Sequence, residues 1–145
     1  MAEKQQLEWF YKLSAALTGF PAIDLQGTGV GPEYLDALVR GGGTSNVEAL
    51  LEAVESGGDA AAASIWNDDR FGALARNIVL MWYLGSWYPL TEEWHRNHPS
   101  DVTAPVPEHV VSTAAYKEGL VWPAMGTHPP SAKPPGFAHW ADPPG

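Results

Sequence analysis

The 145-residue sequence contains no cysteine, which excludes disulfides, iron–sulfur clusters, thiolate zinc sites and thiol catalysis. Basic side chains are scarce as well, because 8 lysines and arginines stand against 17 aspartates and glutamates, for a net charge of −9. Nucleic-acid binders need a basic surface that neutralises phosphates, and anionic lipid attracts basic clusters. We therefore expect neither nucleic acid nor a lipid surface as the partner of this chain.

Long hydrophobic runs are also missing. The longest strongly apolar stretch covers residues 78–84, whereas a membrane-spanning helix needs about 20 apolar residues. Residues 1–12 contain neither the apolar centre of a secretory signal nor a twin arginine. We therefore expect no direct membrane insertion and no export signal in this chain.

Apolar residues recur at helical spacing from the N-terminus to about Trp94. The residues predicted to cap helices are Asn46, Asp59, and either Asp68 or Asp69. The predicted elements are helices over 4–17, 33–40, 47–55 and 70–84, and a short alanine-rich turn over 59–66. The longest helix carries its apolar stripe on Phe71, Leu74, Ile78, Met81 and Trp82.

The composition changes after Trp94, because ten of the 13 prolines lie between Pro99 and Pro144. Proline is excluded from helix interiors and from sheet ladders, so only residues 110–120 are predicted to form another helix. The remainder is predicted to be an irregular strap, whose apolar anchors are Trp122, Met125, Phe137 and Trp140. A stiff, weakly charged segment of this kind fits onto a surface, either of its own domain or of another protein.

These patterns together predict one all-α domain over residues 1–145. Residues 1–94 would form a small helical bundle. Residues 95–145 would add one further helix and the proline-rich, irregular C-terminal strap, giving about five to six helices in all.

The sequence offers few residues for catalysis. Its histidines are His95, His98, His109, His128 and His139. Residues 92–98 contain two of them with two glutamates, but the spacing differs from that of a zinc-protease helix, and a solvated polar loop is the favoured interpretation. No nucleophile elbow, phosphate-binding loop or dinucleotide motif is present. The three glycines at 41–43 follow a predicted helix and are interpreted as its end.

Large aromatic side chains are concentrated in residues 82–89, which read WYLGSWYP. Successive helix residues point about 100° apart, so these rings cannot all face one core. We expect Trp82 to lie in the core. Some of Tyr83, Trp87 and Tyr88 should point elsewhere, and protein contact is a better explanation for them than sugar stacking, because tyrosine and tryptophan dominate protein–protein hot spots.

Several motifs occur in a characteristic order along the chain. They are LSAALTGF at 13–20, WYLG at 82–85, AY at 115–116, GLVW at 119–122, KPPGF at 133–137 and WA at 140–141. In this order the chain resembles the small subunit of bacterial membrane-associated, FAD-dependent sugar and sugar-alcohol dehydrogenase complexes. That group includes sorbitol, fructose, glucose and glucoside 3-dehydrogenases, and it is similar to the small subunit (subunit 3) of gluconate 2-dehydrogenase.

The resemblance implies a helical, non-catalytic subunit of an oxidoreductase complex. Its partner would be a large subunit of the glucose–methanol–choline type, which holds FAD and oxidises the sugar, and the small subunit would support its folding, stability and export. A cytochrome c subunit often accepts the electrons. This chain would then contain no catalytic residue, metal or cofactor. The residues expected at core-to-interface positions are Trp82, Tyr83, Trp87, Tyr88, Tyr116, Trp122, Pro135, Gly136, Phe137 and Trp140.

The sequence departs from this family in two respects. Many members begin with a twin-arginine signal, which is not found here, so we expect a cytoplasmic complex or export together with a signal-bearing partner. Some relatives join their subunits through a cysteine near the strap. Without cysteine, this chain would hold its partner through a large, apolar, non-covalent interface.

Two alternatives come from other functional classes. The first is a stand-alone sugar-binding protein or enzyme that uses the aromatic platform with His95, His98 or His128. The second is a folding chaperone that leaves once its partner has matured. Ligand binding by the isolated chain would favour the first, and a stable one-to-one complex would contradict the second.

Overall fold

The computed structural model describes residues 3–120, apart from the side chain of Asp59. Within this part of the chain, eight α-helices and one pair of two-residue strands are formed, so the prediction of an all-α fold is confirmed. The elements are α1 (Glu3–Thr18), α2 (Ala22–Gly27), α3 (Gly31–Gly42), α4 (Thr44–Gly57), α5 (Ala61–Trp66), α6 (Phe71–Leu84), β1 (Ser86–Trp87), α7 (Glu92–Asn97), β2 (His109–Val110) and α8 (Thr113–Lys117). A 3-10 turn, Gly58–Ala60, precedes α5.

Helix α6 is the centre of the core, and α1, α3, α5 and α8 all pack against it. Its predicted apolar stripe is buried at Leu74, Ile78, Met81 and Trp82, while Phe71 at its start is half-buried. Helix α4 closes the other side by packing on α1, α3 and α5. Among residues 3–120, no helix combines the length and the apolar character that crossing a membrane requires.

Helix α3 approaches its neighbours closely because it carries glycine at its contact points, which include Gly42 beside Leu74 of α6. A side-chain carbon on Gly31 would overlap the Tyr11 ring of α1, and one on Gly41 would overlap the Trp87 indole. The glycines predicted to end α3 therefore have a second role, since Gly41 makes the space that the Trp87 ring occupies.

Of the predicted helix caps, one is confirmed, one is wrong and one lies outside the described residues. Asp68 caps α6 as one of the two alternatives predicted, because its Oδ1 accepts from the backbone N–H of Arg70 (2.8 Å) and Phe71 (2.9 Å). The prediction for Asn46 is wrong. Helix α4 begins at Thr44, and the Asn46 side chain lies buried inside its first turn. Asp59 is predicted to cap the alanine-rich segment, and its side chain is not part of what the structure describes.

Three short elements differ from the sequence prediction. Helix α2 was missed because Gly19 and Pro21 indicated only an end. The prediction of a polar loop over residues 92–98 is wrong, because residues 92–97 form α7, and the side chain of Thr91 caps this helix by accepting from the Trp94 N–H (3.0 Å). The helix predicted over 110–120 is confined to Thr113–Lys117, since Val110 pairs with Ser86 in an antiparallel ladder.

Residues 121–145 lie outside the described part of the chain. The predicted strap, with Trp122, Met125, Pro135, Gly136, Phe137 and Trp140, falls there, as do His128 and His139.

Candidate functional site

Trp82 lies at the centre of an aromatic cluster in the core. Its ring centroid lies 4.8 Å from that of Tyr34, which meets it edge-on, and 6.4 and 6.3 Å from those of Phe10 and Tyr11. The side chain has no exposed surface. Trp82 is therefore a core residue, as its position on the α6 stripe predicted, and it has no surface to offer to a partner.

Gly85 ends α6 in the left-handed conformation, with φ at +71°, and its N–H donates to the Met81 carbonyl (2.7 Å). A side-chain carbon there would lie only 2.7 Å from the Ala115 carbonyl oxygen and 2.9 Å from the Tyr116 Cα. Only glycine combines this backbone conformation with so close a neighbour. The glycine of the WYLG motif thus lets α8 pack directly on the end of α6.

Tyr83 is half-buried on the other side of the same helix end. Its ring meets Phe20 edge-on at 6.2 Å, and its hydroxyl reaches the Thr18 carbonyl at 3.5 Å. Thr18 is the last residue of α1 and Phe20 lies two residues after it, so Tyr83 packs this segment of the chain against α6 while part of its own ring stays exposed.

Trp87 and Tyr88 point in different directions. Trp87 is buried against Gly41 of α3, and its indole N–H donates to the Val106 carbonyl (3.3 Å). Tyr88 is half-buried, and the Asn77 amide holds its backbone by accepting from its N–H (3.0 Å) and donating to its carbonyl (2.9 Å). The ring of Trp87 is therefore enclosed by the chain itself, and the contact of Trp87 with a partner stays a prediction.

An exposed apolar surface surrounds the Gly85 turn. Five large apolar side chains are exposed among the described residues, and three of them lie here. Leu84 precedes Gly85, Val110 lies opposite Ser86 in the strand pair, and Tyr116 follows the Ala115 that packs on Gly85. We call Leu84, Val110 and Tyr116 the Gly85 surface. Tyr116 is the one expected contact residue that belongs to it.

The histidines do not assemble a site in residues 3–120. His95 and His98 flank the Trp94 indole at 5.2 Å each, and no group of three potential metal-binding side chains occurs in this part of the chain. The His95 Nε2 atom is buried without a hydrogen-bond partner there, and burial lowers the pKa of its imidazole. His95 is therefore held neutral near pH 7, as expected of a packing residue.

A polar cluster that the sequence did not predict lies at the other end of α6. The Asn46 amide donates to the carbonyls of Gly42 (2.9 Å) and His98 (3.1 Å), and its oxygen accepts from the Arg70 Nε (2.7 Å). The Trp94 indole N–H donates to the Arg70 carbonyl (3.1 Å). These bonds join α4, α6 and α7, so they account for a buried amide without any ligand.

A second polar link lies beside this cluster. Asp101 accepts from both the hydroxyl (2.7 Å) and the backbone N–H (2.9 Å) of Thr44, at the start of α4. These hydrogen bonds lower the pKa of the exposed Asp101 carboxyl. The loop after α7 is thereby attached to the beginning of α4.

Five of the ten expected contact residues lie within the described residues, and three of these five have accessible surface. Tyr83, Tyr88 and Tyr116 are partly or largely exposed, whereas Trp82 and Trp87 are buried. The other five, Trp122, Pro135, Gly136, Phe137 and Trp140, lie outside the described residues. Since Trp87 is enclosed, the aromatic residues after Trp82 do not form one continuous exposed platform for a sugar.

Comparison of this chain with known protein families, with curated proteins and with solved structures finds no match.

Proposed function

We propose that this chain is a non-catalytic small subunit of a flavin-dependent sugar or glycoside dehydrogenase. In this role it binds the large FAD-containing subunit, stabilises it and assists its folding. The flavin and the sugar chemistry belong to the large subunit. The contribution of this chain is the surface that the large subunit folds against.

The observation that carries this proposal is that those motifs of the resemblance that lie within residues 3–120 meet at one end of the helical domain. Phe20, from the first motif, contacts Tyr83 of WYLG. Gly85, at the end of WYLG, packs on Ala115 of the third motif. The Leu120 N–H then donates to the Trp82 carbonyl (2.8 Å). Residues far apart in sequence thus build one structural unit, and the proline-rich segment begins from it.

The remaining groups with altered pKa values support a binding role, because packing explains them. Burial raises the pKa of Tyr11, and it raises that of Tyr34 together with the charges of Glu33 and Glu118. The Tyr34 hydroxyl donates to the Ala115 carbonyl at 3.3 Å. Activated nucleophiles instead lie beside a base that can accept their proton.

Co-expression with a large FAD-containing dehydrogenase subunit of the glucose–methanol–choline type tests the proposal. A tag on this chain should recover a yellow one-to-one complex that reduces a dye when sugar is added. A colourless monomer that remains soluble alone would contradict the proposal. If such a monomer binds sugar or metal, the stand-alone alternative is the correct one.

The double variant Phe137→Ala with Trp140→Ala tests the strap as the anchor. Truncating a hot-spot aromatic costs about 2–4 kcal/mol of binding free energy, so the complex should dissociate during purification. The matched control is Trp66→Ala. Trp66 is an exposed tryptophan at the end of α5, and it lies beside the start of α6, at the opposite end of that helix from Gly85. Full recovery of the large subunit by the double variant would show that the strap is not the anchor.

A further inference from the structure

A cavity of about 300 Å³ lies among α1, the start of α2, the end of α4 and the start of α5. Its walls include Trp9, Leu13, Val54, Gly58 and five alanines of α1, α2 and α5. Glycine and alanine have almost no side chain, so they leave this space open between the helices. Small-molecule sites have volumes of about 300–1,000 Å³, so this cavity fits a small, mainly apolar ligand.

Lys12 is the one charged side chain among the described residues that line this cavity. Its ammonium lies 4.6 Å from the centroid of the Trp9 ring, and it forms no ion pair with any side chain that the structure describes. A cation–π contact of this kind holds the ammonium at the cavity wall, while its three N–H donors remain able to bind an anion. This wall of the cavity is therefore positively charged.

A second hydrogen-bond donor in the same wall lacks an acceptor. The Trp9 indole Nε1 is buried and has no hydrogen-bond partner within residues 3–120, whereas most buried polar side-chain atoms in proteins have one. A carboxylate accepts hydrogen bonds from both kinds of N–H group, and its charge is opposite to that of Lys12. Because one cation balances one negative charge, a monocarboxylate is favoured over a phosphate.

We propose that this cavity binds a small monocarboxylate with an apolar body, of the class of medium-chain fatty acids. The carboxylate lies at Lys12, and the apolar body packs against Leu13, Val54 and the alanines. This inference goes beyond the proposed function, because it concerns a ligand of this chain itself and does not involve its contact with a large subunit.

Equilibrium dialysis of radiolabelled octanoate tests this proposal on the full-length chain, either alone or in its complex with the large flavoprotein. Octanoate should bind with a Kd below about 1 mM. The measurement is made at about 0.15 M salt, because the remaining charges of this acidic chain are then screened beyond about 8 Å. Octanol serves as the uncharged probe of the same length.

Lys12→Met tests the charge, because methionine keeps an unbranched apolar side chain and removes the ammonium. It should weaken octanoate binding about tenfold and leave octanol binding unchanged. The matched control is Lys4→Met, at an exposed lysine of the same helix that does not line this cavity. Lys4→Met should bind octanoate as the parent chain does.

Ala16→Leu tests the location, because Ala16 lines the cavity and a leucine there would occupy part of its volume. It should weaken the binding of octanoate and octanol by tenfold or more, on the order of the loss of the apolar contacts. Ala63→Leu is the matched control on α5, since Ala63 is exposed and does not line the cavity. Both substitutions place a good helix former at an exposed helical position, so both variants should fold.

Three results would overturn the inference. The first is the absence of saturable octanoate binding by the parent chain. The second is equal octanoate binding by Lys12→Met and Lys4→Met, which would leave the carboxylate without its cation. The third is equal binding by Ala16→Leu and Ala63→Leu, which would place the ligand elsewhere. Since the chain can be dialysed with or without the large subunit, none of these results depends on whether the complex forms.

Discussion

The two ends of α6 are held by opposite kinds of interaction. At the N-terminal end, directional hydrogen bonds dominate, through the Asp68 carboxylate and through the Asn46, Arg70 and Trp94 cluster. At the C-terminal end, close packing dominates, with Trp82 among three rings and Gly85 against Ala115. At the polar end, the side chains of Asn46 and Trp94 form their hydrogen bonds with other groups of the same chain. The packed end presents exposed apolar residues, so it is the end from which we derive a contact surface.

The comparison predicts that the packed end contributes most to stability, and Trp82→Ala is its strongest test. Removing a fully buried tryptophan should lower the free energy of unfolding by about 4 kcal/mol. Trp66→Ala, at a residue that is 40% exposed, should cost about 1 kcal/mol or less. Urea unfolding followed by circular dichroism measures both. Equal losses would show that the Trp82 cluster is not the centre of the core.

Gly85→Ala separates steric contact from backbone strain at the packed end. The left-handed backbone conformation costs about 1–2 kcal/mol with any side chain, and the clash with the Ala115 carbonyl should raise the total to about 3 kcal/mol. Gly19 is the matched control, because its φ is +82° and nothing lies within 4 Å of an added side-chain carbon. Gly19→Ala should therefore cost only the backbone term, about 1 kcal/mol. Thermal unfolding of both variants would reject the steric account if their losses were the same.

Asn46→Ala tests the polar end. It leaves the Arg70 side chain and two carbonyls without their buried partner, so we expect a loss of about 2 kcal/mol in unfolding free energy. Asn67 also bonds to a carbonyl four residues earlier, that of Ala63, but on an exposed site. Asn67→Ala should cost about 0.5 kcal/mol. A loss from Asn46→Ala as large as that from Trp82→Ala would contradict the ranking of the two ends.

Tyr34→Phe should have the smallest effect, about 1 kcal/mol near pH 7, from the lost bond to Ala115. Burial, with smaller contributions from Glu33 and Glu118, raises the pKa of Tyr34 above the value near 10 of an unfolded chain. The folded chain therefore holds this proton more tightly, and the resulting stability is present below about pH 10 and lost as the pH rises further.

The measurement for Tyr34→Phe is urea unfolding between about pH 9 and pH 11. The variant should lose less stability over that range than the parent chain. Part of the slope should remain, since burial also raises the pKa of Tyr11. Tyr83→Phe is the control for removing a hydroxyl from a half-buried ring. An unchanged slope in Tyr34→Phe would contradict the assignment.

Local signals predicted the elements that local interactions determine. The stripe on α6 and the Asp68 cap both depend on residues within one or two helical turns, so their spacing was sufficient. The role of Asn46 depends on His98 and Arg70, 52 and 24 residues away, and nothing near Asn46 indicates them. Helix α7 could have been predicted from Thr91, a residue type that favours the N-cap, followed by two glutamates, which are favourable in the first turn of a helix.

The candidate site was predicted only in part, because local spacing determines the position of some of its residues and contacts between distant residues determine the others. The helical spacing was enough to place Trp82 in the core. It could not show that Trp87 turns inward, because that depends on the space above Gly41 on a different helix. Tyr83 and Tyr88 keep exposed surface, and so do Leu84 and Val110, but the position of Val110 beside the end of α6 depends on its pairing with Ser86, which lies far away in the sequence.

The bond from Leu120 to Trp82 also sets an order of events during synthesis. The carbonyl of Trp82 is made 38 residues before the N–H that satisfies it, and ribosomes add about 5–20 residues per second. For roughly 2–8 s the last turn of α6 is therefore present without its partner. The Tyr34 hydroxyl is without its acceptor for longer, because the Ala115 carbonyl is synthesised 81 residues later. These two contacts of the aromatic core form only after residues 115 and 120 emerge, so a chain interrupted before residue 115 would expose the aromatic core to aggregation or to a chaperone.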